Sequence, residues 1–205
     1  MKLETLVLGS LQTNCYILID EPTGEAAVID PADRAETILA AVERLRCTVK
    51  YIIVTHAHID HVAALDAVAQ ATGAPVVIHT ADRHALNNDA LNLALYFGMP
   101  TPATEAAVIV NDGDTLTLGG QTLQILHTPG HNKGSMCILC GGTLISGDTL
   151  FYESVGRVDH YGGNLQDILQ SLRRLLTLPD ETKVYPGHGP ATTIGHERTH
   201  NPYVN

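Results

Sequence analysis

His56, His58, Asp60 and His61 crowd into the heptapeptide T-H-A-H-I-D-H, directly after the largely apolar run Val49-Lys50-Tyr51-Ile52-Ile53-Val54. That run is short and rich in β-branched and aromatic residues, the pattern of a buried strand. The cluster therefore sits where a strand ends and the chain turns, the place on a rigid sheet where catalytic groups collect. Four such groups are too many for one tetrahedral ion. His56 and His58, two apart, can point one way while Asp60 and His61 serve a second ion.

Three more metal-type residues lie in glycine-rich, strand-end settings: His131 in T-P-G-H-N-K-G-S, Asp148 in I-S-G-D-T-L-F and His188 in Y-P-G-H-G-P. Taken singly, each histidine reads better as an ordinary turn or surface residue. The ordered set does not, because each motif supplies its own structural context. Five imidazoles and two carboxylates suit a borderline ion such as Zn²⁺, and an open position on each ion makes such a site catalytic. The simplest division puts His56, His58 and His131 on one ion and Asp60, His61 and His188 on the other, with Asp148 bridging. Two ions about 3.5–4 Å apart share a hydroxide and clamp a substrate oxygen. A structural zinc site is usually thiolate-rich, and Cys15, Cys47, Cys137 and Cys140 all lie outside these motifs.

The order H-x-H-x-D-H, then His, Asp and His, resembles the metallo-β-lactamase superfamily over nearly the whole chain. Within it, Gly147-Asp148-Thr149-Leu150-Phe151, Gly156-Arg157 and Gly187-His188-Gly189-Pro190 resemble the small hydrolases of the glyoxalase II (hydroxyacylglutathione hydrolase) type. The resemblance implies a four-layer αββα sandwich, two divalent metal ions per chain (zinc first, iron or manganese as alternatives) and a thioester substrate such as S-lactoylglutathione. Only residues 189–205 follow His188 in this sequence, so the C-terminal helical domain that helps hold glutathione in two-domain glyoxalase II is not expected here. The same frame also carries lactonases, ribonucleases and mono-iron persulfide dioxygenases. A β-lactamase is disfavoured, since that role goes with other second-site ligands than His61 plus a bridging Asp148.

The chemistry expected is attack of a metal-bound hydroxide on an ester-like carbonyl, with Asp60 either a pure ligand or a ligand that also orients the water, two roles the sequence does not separate. Tyr152, Arg157 and Arg198 are the candidate substrate contacts. Each is weighed against a plainer role: packing for Tyr152, an ion pair for Arg157, a solvated tail for Arg198. The resemblance places the Gly156-Arg157 stretch near the metal centre. His79, His84, His127 and His160 fall outside the ligand positions and default to supporting or surface roles.

The chain also reads as built twice, without a linker or low-complexity stretch. Cys15–Ile19 and Ala27–Asp30 form one hairpin, Met136–Cys140 and Leu144–Asp148 another, each with a second strand ending in Asp. A helix follows each: Ala35–Leu45, with Ile38, Leu39, Val42 and Leu45 on one face, and Leu165–Leu176, with Ile168, Leu169, Leu172, Leu175 and Leu176. Each helix leads to a short strand ending near a histidine. Further helices are predicted over Val62–Ala71 and Arg83–Tyr96, the second as an insertion bordering the site. Asp66 falls inside the former and reads as a surface carboxylate.

The expectation is one domain over residues 1–205, a length that buries a sizeable core. The net charge of −10 argues against nucleic acid, whose readers carry a basic face. Met1-Lys2-Leu3-Glu4-Thr5 opens no secretory pattern and no apolar run reaches membrane-spanning length, so a cytoplasmic location and no membrane partner are expected. Cys137 and Cys140 are three apart on a strand and face opposite sides, which removes the C-x-x-C as a redox pair.

Overall fold

The computed structural model describes residues 1–204. In chain order the elements are β1 Lys2–Leu8, β2 Thr13–Asp20, β3 Glu25–Ile29, α1 Ala35–Leu45, β4 Thr48–Val54, α2 Ile59–Val62, α3 Leu65–Thr72, β5 Val76–His79, α4 Ala94–Phe97, β6 Val108–Val110, β7 Thr115–Leu118, β8 Gln121–His127, β9 Met136–Cys140 and β10 Thr143–Gly147. They continue with β11 Leu150–Phe151, β12 Ser154–Val155, α5 Leu165–Leu175, β13 Lys183–Pro186, β14 Thr192–Thr193 and α6 Ile194–His200.

The strands form two six-stranded mixed sheets, ordered β1-β2-β3-β4-β5-β6 and β14-β13-β10-β9-β8-β7. The period-two geometry of strands explains the layering. Along β2, Cys15 and Ile17 pack outward with α1 and α3, while Tyr16 and Leu18 pack inward against the second sheet. Both faces are buried, which is why β2 reads as a continuous apolar run. Leu123, Ile125, Met136, Ile138 and Ile145 supply the facing inner layer. Outside the second sheet, Ile168, Leu172 and Leu175 of α5 pack with Leu126, Leu144 and Val184. Burying each such side chain contributes about 1.5–3 kcal/mol. The result is the expected αββα sandwich.

The duplication is present in the ladders. β2 pairs antiparallel with β3, which pairs parallel with β4; β9 pairs antiparallel with β10, which pairs parallel with β13. Each parallel pair carries a register shift, between Ala26 and Ala27 and between Ile145 and Gly147. Both halves therefore bring the C-terminal ends of their central strands to one edge.

Three local expectations need correction. The helix expected over Val62–Ala71 is two short helices, because Ala64 N–H donates to Pro31 O at 2.9 Å instead of continuing the helical ladder. Arg83–Tyr96 is mostly turns, with helix only at Ala94–Phe97. Asn88 Oδ1 accepts from the N–H groups of Ala90 and Leu91, and Asn92 Oδ1 from that of Ala94. Asparagine side chains thus capture the donors a helix would use. On α1, Ala41 takes the buried place expected of Leu39, beside Ile38. Asp66 does lie at the surface, where it accepts from the N–H groups of Ala103 and Thr104.

The thiols separate as expected. Cys137 packs toward α5 and Cys140 between the sheets, and all four cysteines are free. Cys140→Ser is accordingly expected to leave hydrolytic turnover unchanged and to cost about 1–3 kcal/mol for a hydroxyl in an apolar layer. Steady-state rates and urea denaturation check the two halves of that expectation.

Candidate metal centre

His56 and His58 leave the end of β4, Asp60 and His61 lie on α2, His131 in the β8–β9 loop, Asp148 just past β10 and His188 just past β13. All seven converge at the shared edge of the two sheets. The halves are stitched together there: Asn14 N–H donates to Gly187 O at 2.7 Å, and Met136 N–H to Thr55 O at 2.9 Å. Two glycines make the approach possible. A Cβ on Gly187 would collide with Asp148 Oδ1 and His61 Cε1, and one on Gly156 with the Asp148 carbonyl oxygen.

The donor atoms fall into the divisions the sequence suggested. His131 Nε2 lies 3.2 Å from His56 Nε2 and 2.9 Å from His58 Nδ1. Asp60 Oδ2 lies 3.2 Å from His188 Nε2 and 3.5 Å from His61 Nε2. Asp148 stands between the two groups, with Oδ1 3.3 Å from His61 Nε2 and Oδ2 3.5 Å from both His131 Nε2 and His188 Nε2.

Hydrogen bonds on the far side of the rings set the tautomers. His131 Nδ1–H donates to Arg157 O at 2.8 Å, His188 Nδ1–H to Leu11 O at 3.1 Å and His61 Nδ1–H to Asp30 Oδ2 at 2.9 Å. Thr55 spends its hydroxyl proton on Asp30 Oδ2 at 2.7 Å, so its oxygen accepts from His56 Nδ1–H at 3.1 Å. Four imidazoles thus turn an Nε2 lone pair inward. The lone pairs of His56 and His131 face each other across 3.2 Å. Such a contact is repulsive unless a cation sits between them. His61 Nε2 and Asp148 Oδ1 are likewise buried without a hydrogen-bond partner. The residues present therefore fit a metal.

Electrostatics agree. Burial, then the neighbouring His61, His58 and His131, hold His56 well below the ordinary histidine range and so in the neutral form a ligand needs. Burial also opposes charge on His61, but Asp60, Asp148 and Asp30 outweigh it and raise its pKa well above normal. Without a metal these carboxylates favour a second proton on His61, at the Nε2 that would otherwise face the donor set. Because its pKa is raised on folding, its contribution to stability is complete below about pH 6.5, the unfolded value, and is lost as pH climbs through the raised folded value. Metal must displace that proton, so apparent metal affinity is expected to rise with pH across the range above about 6.5. Competition titrations at several pH values check it; an affinity that falls with pH would contradict it.

Asp30 and Asp82 support the centre; the sequence marked Asp30 only as the end of a duplicated strand, and no motif pointed to Asp82. Asp30 Oδ1 accepts from Thr55 N–H at 2.7 Å in addition to the bonds above. Asp82 Oδ2 accepts from Ala57 N–H, between His56 and His58, at 2.7 Å. Burial pushes the Asp82 carboxyl up to about 6, against the pull of the Ala57 and Gly134 N–H groups. His160 packs edge-on against His58 and His131, with centroids 4.6 and 4.7 Å away, and its Nε2 is buried without a hydrogen-bond partner. It belongs to the cavity wall.

A cavity of about 620 Å³ opens over His58, Asp60, His131, Asp148 and His188. Of the three candidate substrate contacts only Arg157 borders it, and its guanidinium is paired with Asp159 at 2.6 and 2.8 Å. Tyr152 lines a separate hollow and stacks on His196 at 4.9 Å, because the β11–β12 turn carries it away from the metal cluster. Arg198 binds Asp180 and the carbonyls of Leu176 and Leu178, tying α6 to the end of α5. His79 stacks on His127 at 4.0 Å outside the cavity, and His84 borders another small hollow.

A mixed αββα sandwich with a His/Asp cluster at one sheet edge defines a metallohydrolase class. Residues 8–188 match the metallo-beta-lactamase superfamily, and the chain belongs to that family. A structure described as BLEG-1 B3 metallo-beta-lactamase is 40% identical, with a TM-score of 0.95 and all of both chains covered. TTHA1623, crystallised in a di-iron-bound form, is 37% identical with a TM-score of 0.87 over 98% of this chain and 99% of that one. The hydroxyacylglutathione hydrolase GloC of Haemophilus influenzae is 32% identical over 100% of this chain and 99% of its own. Among the described residues no helix is long and apolar enough to cross a membrane.

Proposed function

We propose that the chain is a dinuclear hydrolase of acyl thioesters of the glyoxalase II type, with S-lactoylglutathione among its substrates. The observation that carries this reading is the convergence of seven donor side chains, four of them with Nδ1 held by a hydrogen bond so that Nε2 faces the cluster, beneath an open cavity that five of them line. His56, His58 and His131 would hold one ion and Asp60, His61 and His188 the other, with Asp148 between. Similarity to a protein crystallised with two irons supports the count. When bound, such a pair supplies a nucleophile at neutral pH and a Lewis acid for a carbonyl oxygen.

The chain's own residues supply position. Asp30 and Thr55 lock His61 and His56, and Asp82 fixes the backbone between His56 and His58. Asp60, anchored by the Thr13 hydroxyl at 2.9 Å, borders the cavity, where its carboxylate can orient a water. A thiolate leaves with little need of a proton, which favours thioesters over ordinary esters. The relative named hydroxyacylglutathione hydrolase has almost the same extent as this chain, so that name does not depend on an added helical domain. A second reading, β-lactam hydrolysis, is favoured by the likeness to BLEG-1.

Steady-state kinetics of the metal-loaded protein on thioesters, lactones, β-lactams and phosphodiesters test the proposal. The largest kcat/KM is expected on a thioester. Absence of thioester turnover beside good lactone or β-lactam cleavage would reject it, and oxygen uptake on a persulfide with a single iron would replace it with a dioxygenase.

A further inference from the structure

The cavity over the metal cluster has two unlike sides. Its floor is the polar donor set; its outer wall is Leu11 from the β1–β2 turn, Leu93, Tyr96 and Phe97 around α4, and Phe151 and Val155 from the β11–β12 hairpin. Tyr96 is 83% exposed and Phe97 41%, their rings meeting edge-on at 5.1 Å. Exposed aromatic rings gathered at the mouth of a cavity mark a surface kept for a ligand.

This wall is built and held in place. Asn92 is fully buried; its side chain binds Leu86 O and Ala94 N–H, and its carbonyl accepts from Ile59 N–H, between His58 and Asp60, at 2.8 Å. Leu93 takes a left-handed backbone, φ +67°, to turn α4 over the site. A leucine rarely adopts that conformation, and such strain collects at functional sites. The wall is thus tied directly to the helix that carries two of the donors.

The charge around the cavity points the same way. Arg157 is its one guanidinium and is engaged in both directions by Asp159, while no lysine borders it among the described residues. The protein as a whole carries −10. Among the residues that line the cavity, neither a lysine nor an unpaired guanidinium stands ready to meet the two carboxylates of a glutathione leaving group.

Resting on the thioesterase reading above, we infer that the cavity selects thioesters with an uncharged aliphatic acyl chain seated on the Leu93–Phe97 wall, and that it gives the thiol part no charge recognition. S-lactoylglutathione is then a competent substrate but an unexceptional one.

The test separates binding from turnover. Non-hydrolysable S-alkyl thioethers of N-acetylcysteamine, with chains lengthened stepwise, are titrated into the metal-loaded protein by calorimetry. Affinity is expected to rise about fourfold per methylene while the chain remains on the wall. Tyr96→Ser combined with Phe97→Ala should flatten that slope to less than about twofold, whereas Tyr203→Ser, at an exposed tyrosine remote in sequence, should leave it intact. S-alkylglutathiones of equal chain length should bind within about threefold of their N-acetylcysteamine partners, since an exposed charge pair adds little. A flat slope, a slope indifferent to the wall variants, or a glutathione advantage beyond about tenfold would overturn the inference. Loss of thioester turnover with the slope intact would instead sink the thioesterase reading and leave the apolar wall standing.

Discussion

Asp148→Ala is expected to lose bound metal and turnover together while keeping its fold. The carboxylate is 7% exposed and is the one side chain whose two oxygens approach both halves of the donor set. Burial raises its pKa, but His61, then His131 and His188, pull the carboxyl down to about 2, so it is ionised at any working pH. Alanine leaves the inward lone pairs of His131 and His188 without the anion that joins the two groups. Turnover should fall by roughly a hundredfold to a thousandfold, the scale for removing one preorganised charge at a reacting centre. Asp148→Asn keeps the shape and not the charge, so it should recover little. The fold should survive, because Asp148 Oδ1 is buried without a hydrogen-bond partner, so alanine breaks no hydrogen bond of the fold there. Elemental analysis, far-ultraviolet circular dichroism and kinetics on one preparation read all three quantities; near wild-type turnover would remove Asp148 from the centre.

Asp30→Ala is expected to damage stability more than any change at the donors themselves. The side chain is 1% exposed and accepts from Thr55 N–H, Thr55 Oγ1 and His61 Nδ1. Alanine leaves three buried donors without a partner and strips His61 of a counter-ion. Breaking one side of a buried, charge-assisted network costs about 3–5 kcal/mol. Loss of the group that orients a ligand ring should weaken metal binding by about 10–100-fold. Asp30→Asn retains acceptor capacity at one oxygen and should recover part of both. Urea denaturation of the metal-free protein and chelator competition separate the two effects. A stability change below about 1 kcal/mol would show that the network bears little weight.

The contrast between these two residues shows what a linear sequence can display. Asp148 announces itself because Gly147 and Thr149-Leu150-Phe151 surround it with a strand-end motif. Asp30 ends the matching strand of the other half, β3 as against β10, so the duplication carried a signal for it. Its partners, Thr55 and His61, lie 25 and 31 residues away, and only the sheet brings them together. Asp82 and His160 were hidden for the same reason. The helices α1 and α5 were legible to within a residue because their apolar faces repeat at the helical period. Arg83–Tyr96 misled because the same period runs through it while asparagines 88 and 92 turn the chain locally. Tyr152 failed as a pocket contact because a two-residue strand sets its direction, and no periodicity operates over so short a stretch.

His56, His58 and His131 are expected to hold one ion and Asp60, His61 and His188 a second, with Asp148 between them. Metal content per chain, measured on active protein purified without chelator, tests it most directly. About two equivalents of zinc, iron or manganese are expected, falling to about one in His58→Ala. A stable, fully active protein holding a single ion, unchanged in content by His58→Ala, would contradict it.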